Sequence, residues 1–170
     1  DEVRKNDETL DKAVEVLNDD VPFCILPEGT HRPKHSLLPL SKGIFRIALR
    51  ANEKFGDQKP VYIVPVGLEY GDYFHLWDSL TVNIGKHINV TQFVKDMQAK
   101  ATEELTQPQI VNALREELTI RMREQIMWVP DDEHYEENIK KLQENPPAPF
   151  DKFKKHRIPR WLLLIGLVLM

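Results

Sequence analysis

Apolar residues in the first stretch of the chain recur with a helical period. Leu10, Ala13, Val14 and Leu17 stand at i, i+3, i+4 and i+7 and predict an amphipathic helix over residues 6–17. Asp7 and Glu8 fall in its first turn, where acidic groups suit the helix dipole. Asn18, Asp19 and Asp20 break the pattern. Residues 21–26 are apolar on both faces, which predicts a covered strand in a parallel sheet. Ile44, Ile47, Ala48 and Ala51 restore the helical spacing over residues 41–54, with Ser41 available as the cap.

Residues 61–66, "VYIVPV", read as a second buried strand, and Pro65, which has no N–H to donate, should weaken its pairing locally. Leu80, Val82 and Ile84 alternate with polar residues and predict a half-exposed strand. A further helix starts at Thr91, and Pro108 interrupts any continuation. Ile110, Leu114, Leu118 and Met122, four residues apart, predict a long helix over residues 109–127, and a shorter one follows Asp132. Helices alternating with buried strands make an α/β protein, a sheet flanked by helices. No internal repeat is present.

Length and composition narrow this picture. The 170 residues suit one domain, able to bury about two-thirds of its unfolded surface. A net charge of -4 argues against a general nucleic-acid binder, but the charge is unevenly spread. Asp131, Asp132, Glu133, Glu136 and Glu137 make one acidic segment; Lys152, Lys154, Lys155, Arg157 and Arg160 make a basic one near the C-terminus. The single cysteine, Cys24, excludes an intramolecular disulfide and reads as a core filler. No secretory leader pattern opens the chain.

Trp161 to Met170, "WLLLIGLVLM", has no polar side chain. Ten residues are too few to cross a bilayer, which takes about 20, so we expect a membrane segment to begin here. Basic residues before an apolar run, with Trp161 at the boundary, follow the positive-inside pattern and would attract anionic headgroups. That predicts a membrane-associated protein on the cytoplasmic face. A basic tail followed by a buried helical turn is the other reading. "NPPAP", residues 145–149, reads as a stiff Pro-rich linker. The expected division is an α/β domain over 1–144, the linker over 145–149, and a basic juxtamembrane stretch with the start of a membrane segment over 150–170.

The chemistry gathers in "CILPEGTHRPKH", residues 24–35. Ligands of α/β sheets collect beyond the carboxyl ends of strands, and this loop leaves such an end. Gly29 permits positive φ or close approach of backbone to a ligand. Arg32 and Lys34 can make charge-assisted hydrogen bonds to an anion, and a guanidinium fork matches a phosphate. Glu28 would repel that phosphate and belongs instead against a hydroxyl or a local cation. A glycerol phosphate meets both demands; a solvated turn with loosely paired charges is the alternative. His31 and His35 are spaced i, i+4, but Pro33 between them and the lack of further ligands argue against a metal.

"LPEGTHRPKHSLLPLSKGIF" followed by "VYIVPVGLEYGD" resembles two of the four signature blocks of the glycerolipid acyltransferases, the family that includes 1-acyl-glycerol-3-phosphate acyltransferase. The third block there reads Phe-Pro-Glu-Gly-Thr-Arg-Ser with Lys-Gly-x-Phe downstream; this chain has Pro27, Glu28, Gly29 and Thr30, then Lys42, Gly43 and Phe45. The fourth block is an apolar run around Val-Pro-Val, matched by Ile63 to Val66 with Pro65 inside it. The resemblance covers residues 4–90.

What the resemblance implies is acyl transfer from a fatty acyl thioester, on coenzyme A or acyl carrier protein, to the hydroxyl of a glycerol-3-phosphate or lysophosphatidate acceptor. This is a step of phospholipid biosynthesis that uses no metal or other cofactor and no nucleic acid. Glu28, Gly29 and Thr30 would fix the glycerol end, and Arg32, with Lys34, would hold the phosphate. His31 stands at the family's arginine position and would bind phosphate only when protonated. Lys42 could assist or be solvated, and Pro65 would line the substrate site. The family's catalytic His-x-x-x-x-Asp is missing: five positions after the six histidines stand Ser36, Leu40, Leu80, Gln92, Ile139 and Trp161. In the family that block lies upstream, so this chain is expected to be an inactive fragment that carries acceptor binding. A non-catalytic module that binds phospholipid headgroups is the alternative.

Overall fold

Helical periodicity proves the more faithful guide along this chain. The computed structural model describes residues 2–22, 24–30, 32, 34–70 and 80–145. They form a mixed α/β structure of helices and two small sheets. The chain divides into one unit of Asp1–Thr30, Pro39–Val64 and Lys86–Ile120, and a second of His31–Leu38, Pro65–Gly85 and Arg121–Met170.

In the first unit, α1 (Glu2–Asn18) packs against α2 (Gly43–Phe55). Val14, from the predicted apolar stripe, is buried, and Arg50 of α2 pairs with Asp7 and Asp11 of α1. α1 begins earlier than its pattern suggested, so Asp7 and Glu8 lie beyond its first turn. It ends where expected: Asp20 takes φ 60°, and Lys59 holds the turn through Asn18 O and the Asp20 carboxylate, both at 2.7 Å. α2 buries Phe45, Ala48, Leu49 and Ala51. Ser41 is not its cap. Lys42 stands at that position without a side-chain bond, and the Ser41 N–H instead donates to Pro27 O at 2.7 Å, tying the two ends of the intervening loop.

A 3-10 turn (Gly56–Gln58) leads to β1 (Tyr62–Ile63), which pairs antiparallel with β4 (Ile88–Asn89). α3 (Val90–Lys100) follows at once, its N-terminus capped by Asn89 Oδ1 accepting from the Gln92 N–H. α4 (Gln107–Arg123) carries the four-residue repeat, and Ile110, Leu114, Leu118 and Met122 are all buried. Each such side chain contributes about 1.5–3 kcal/mol when fully buried. Pro108 sits inside the first turn, where its missing N–H has no helical partner to lose.

The described residues of the expected strand, 21, 22 and 24–26, are not a buried strand. No strand pairs with them among the described residues; Val21 is 50% and Leu26 77% exposed, and Cys24 is exposed rather than a core filler. A strand is a paired object: without a neighbour to exchange N–H and C=O bonds, apolar character alone gives extended chain. All pairings among the described strands are antiparallel, so the expected parallel sheet is not found there. Residues 61–66 also differ from expectation. Pro65 separates β1 from β2 (Val66–Tyr70), and burial alternates, with Tyr62, Val64 and Val66 exposed.

In the second unit, β2 pairs antiparallel with β3 (Leu80–Ile84), placing Val66 opposite Ile84 and Leu68 opposite Val82. β3 is half exposed, as its alternation predicted, but the covered half is the polar one. Val82 and Ile84 face out while Glu69 and Asn83 are buried. The cause lies in the segment after α4: Asn83 Nδ2 donates to Gln125 O at 2.8 Å, and the Met127 N–H donates to Glu69 Oε1 at 2.6 Å. Gly67 permits that approach, since a Cβ there would collide with the backbone carbonyl of Gln125. α5 (Tyr135–Glu144) completes the unit.

The proline linker and the basic and apolar stretches, residues 146–170, lie outside the described residues, as does His31. Among the described residues, no helix is long and apolar enough to cross a membrane.

The Gly67 contact gives a direct prediction. Gly67→Ala should lower stability in urea by about 2–3 kcal/mol, because backbone cannot yield as a side chain can. Gly29→Ala, where the added Cβ meets open space but φ is +69°, should cost about 1 kcal/mol. Equal, small losses would contradict the close packing at Gln125.

Candidate functional site

The second unit builds a charged site from the loop segment of residues 32–38. Three bonds fix His35. Its N–H donates to Tyr135 Oη at 2.8 Å, its carbonyl accepts from the Val129 N–H at 2.6 Å, and its Nδ1 lies 3.2 Å from Glu69 Oε2. Tyr135 and Val129 are buried, so the backbone of His35 is anchored on a packed wall. Glu69, on the covered face of β2, uses one carboxylate oxygen on Met127 N–H and the other on His35. A buried carboxylate needs both partners, since a hydrogen bond to a charged group is worth about 1.5–3 kcal/mol.

With His35 held, its neighbours are aimed. Arg32 donates from Nη2 to the buried Ser36 Oγ at 3.2 Å and from Nη1 to Asp131 Oδ2 at 2.5 Å. Lys34 donates from Nζ to Asp131 Oδ1 at 2.6 Å and lies 4.9 Å from the centre of the Tyr135 ring. Two cations thus close on one carboxylate, each taking one oxygen. Among the described residues, the buried Nε–H of Arg32 has no acceptor.

The titrations follow from these contacts. The hydrogen bond to Glu69 raises the pKa of His35 above 6.5, burial opposes the rise, and the Glu69 charge adds to it. The hydrogen bonds from Lys34 and Arg32 hold the Asp131 carboxyl below its ordinary range. The site therefore presents Arg32, Lys34 and a readily protonated His35 against Glu69 and Asp131.

Of the residues singled out in the sequence, Arg32 and Lys34 are brought together. Glu28, Gly29, Thr30 and Lys42 belong to the first unit. There Glu28 is half-buried, Thr30 and Lys42 are exposed, and Gly29 takes the positive φ that its position in the turn demands, its N–H donating to Leu26 O. Pro65 is fully buried in the second unit, with its carbonyl accepting from the Gly85 N–H. Glu69, Asp131 and Tyr135 were missed. Glu69 could have been flagged as an acid in an apolar run, and the acidic segment around Asp131 as a counterpart to the loop's cations.

Residues 1–69 match the Acyltransferase family model. The matched stretch contains the Glu-Gly-Thr loop, the Lys-Gly-x-Phe element and the Val-Pro-Val run, and it ends on Glu69. The glycerolipid acyltransferase resemblance is thereby supported over this part of the chain, and acyl transfer is the reaction class it points to. No curated protein and no solved structure matches the chain. Within the matched stretch, then, Arg32 and Lys34 sit just past the Glu-Gly-Thr motif, on a loop held by the acid that closes the match.

Folding favours the protonated ring when the folded pKa is raised. The contribution of His35 is therefore fully present below about pH 6.5 and is lost as pH climbs through the raised value. The melting-temperature advantage of the wild-type chain over His35→Gln should shrink as pH rises from 6.5 toward 9. A gap that stays constant over that range would show that the Glu69 contact does not depend on charge.

Proposed function

We propose that this chain supplies the acceptor-binding part of an O-acyltransferase. The enzyme would move a fatty acyl group from an acyl thioester, on coenzyme A or acyl carrier protein, to a glycerol-3-phosphate or lysophosphatidate-type acceptor in phospholipid synthesis. One observation carries this reading: Arg32 and Lys34 converge on a single anion, one oxygen each. That is the geometry a phosphate monoester needs, and guanidinium and ammonium together bind it through charge-assisted bonds.

In the proposed reaction, the acceptor hydroxyl attacks the thioester carbonyl. The new C–O ester bond forms, the C–S bond breaks, and the hydroxyl proton ends on the departing thiol. A base must carry that proton, and no histidine of this chain has the aspartate five positions on that the resemblance calls for. The part proposed for these residues is accordingly to bind and orient. Work at the cytoplasmic face of a membrane, where such acceptors reside, fits the basic cluster of residues 152–160 and the apolar run of residues 161–170. The same missing dyad favours a second reading, a headgroup-binding module without turnover.

Calorimetric titration with sn-glycerol 3-phosphate and with glycerol tests the anion site. The phosphate ester should bind the chain and glycerol should not. Arg32→Ala with Lys34→Ala should weaken phosphate binding at least about tenfold, the value of one charge-assisted contact or more. Unchanged affinity in that double variant would remove the phosphate-binding role from this loop.

A further inference from the structure

Asp131 occupies the position that the proposed function gives to the acceptor's phosphate. It lies on the connection between α4 and α5, and its side chain is about a third exposed (34%). Both its oxygens are spent on the two cations, and among the described residues Arg32 and Lys34 are its only partners. Its neighbour behaves differently: Asp132 accepts from the His134 N–H at 2.9 Å and so belongs to the turn that starts α5. Asp131 is thus free to rotate away when the cations find a better anion.

The cations have other supports. Arg32 keeps its bond to Ser36 Oγ, Lys34 keeps the Tyr135 ring, and His35 keeps its three anchors, none of which involves Asp131. The cradle should therefore survive the loss of the carboxylate. A phosphate monoester would also outbid it on chemistry. It carries close to two charges where the carboxylate has one, and three oxygens where the carboxylate has two. Exposed ion pairs are weak individually, so the exchange is feasible in water.

We propose that Asp131 is a built-in competitor: it holds Arg32 and Lys34 together in the empty site and swings out when a phosphate monoester enters. The residue would then set a threshold, admitting doubly charged phosphate esters and turning away singly charged anions such as fatty carboxylates. This inference rests on the reading of Arg32 and Lys34 as the phosphate site.

The test compares the wild-type chain with Asp131→Asn and Asp132→Asn by calorimetry, using sn-glycerol 3-phosphate and acetate as probes. Circular dichroism confirms that each variant is folded. Asp131→Asn should bind the phosphate ester about five- to thirtyfold more tightly, the equivalent of one or two surface ion pairs. It should also gain measurable acetate binding, while Asp132→Asn should stay within about twofold of wild type. Weaker or unchanged phosphate binding in Asp131→Asn, with the wild type binding normally, would overturn the competitor role and make Asp131 a scaffold. If neither the wild type nor Asp131→Asn binds the phosphate ester, the phosphate site itself fails, and the inference falls with it.

Discussion

The charged site of the second unit depends on the buried carboxylate of Glu69. It stands on the covered face of β2 and meets two donors, the Met127 N–H and the His35 ring. An ionised carboxylate buried in that position without partners would cost several kcal/mol. With them it joins three pieces distant in sequence: the strand, the segment that follows α4, and the loop of cations. Gly67, two residues earlier on the same face, lets the segment come close enough for the bond to form.

From that constraint the electrostatics follow. His35 is pinned, so Arg32 and Lys34 on the same short loop project toward the start of α5, where Asp131 waits between them. The loop is rigid where its backbone is bound to Val129 and Tyr135 and adaptable at the outer side chains. The proposed phosphate site would gain from that division, with cations held in place and a counter-ion at their outer side. The match of residues 1–69 to the Acyltransferase family model points to acyl transfer as the general chemistry, and the proposed acceptor carries the anion that such a cradle would fit.

Sequence pattern was a good guide wherever an element satisfies its own hydrogen bonds. The repeat of Ile110, Leu114, Leu118 and Met122 gave α4 and its buried face, and Leu10 to Leu17 gave α1. Strands were less legible because they need partners. Residues 21–26 are as apolar as any core strand, yet Val21, Cys24 and Leu26 lie exposed, and β3 turns its polar side inward because Gln125 offers Asn83 a carbonyl. In the site, Arg32 and Lys34 could be picked out from residue type and loop position. Their counterpart could not, for Asp131 lies 97 residues beyond Lys34 and 99 beyond Arg32. Charge composition marked the acidic segment, but nothing local in the sequence says which loop it faces. The sequence marks His35 as one of the loop's potential cations and as a rejected metal ligand; its carboxylate partner on β2 is a fact of tertiary structure.

The most direct test is a crystal structure of the chain with sn-glycerol 3-phosphate bound. The account predicts the phosphate group between the Arg32 guanidinium and the Lys34 ammonium, at charge-assisted distances of about 2.7–2.9 Å, with Asp131 rotated out and His35 still on Glu69. A phosphate bound elsewhere, with Asp131 still bridging both cations, would contradict it.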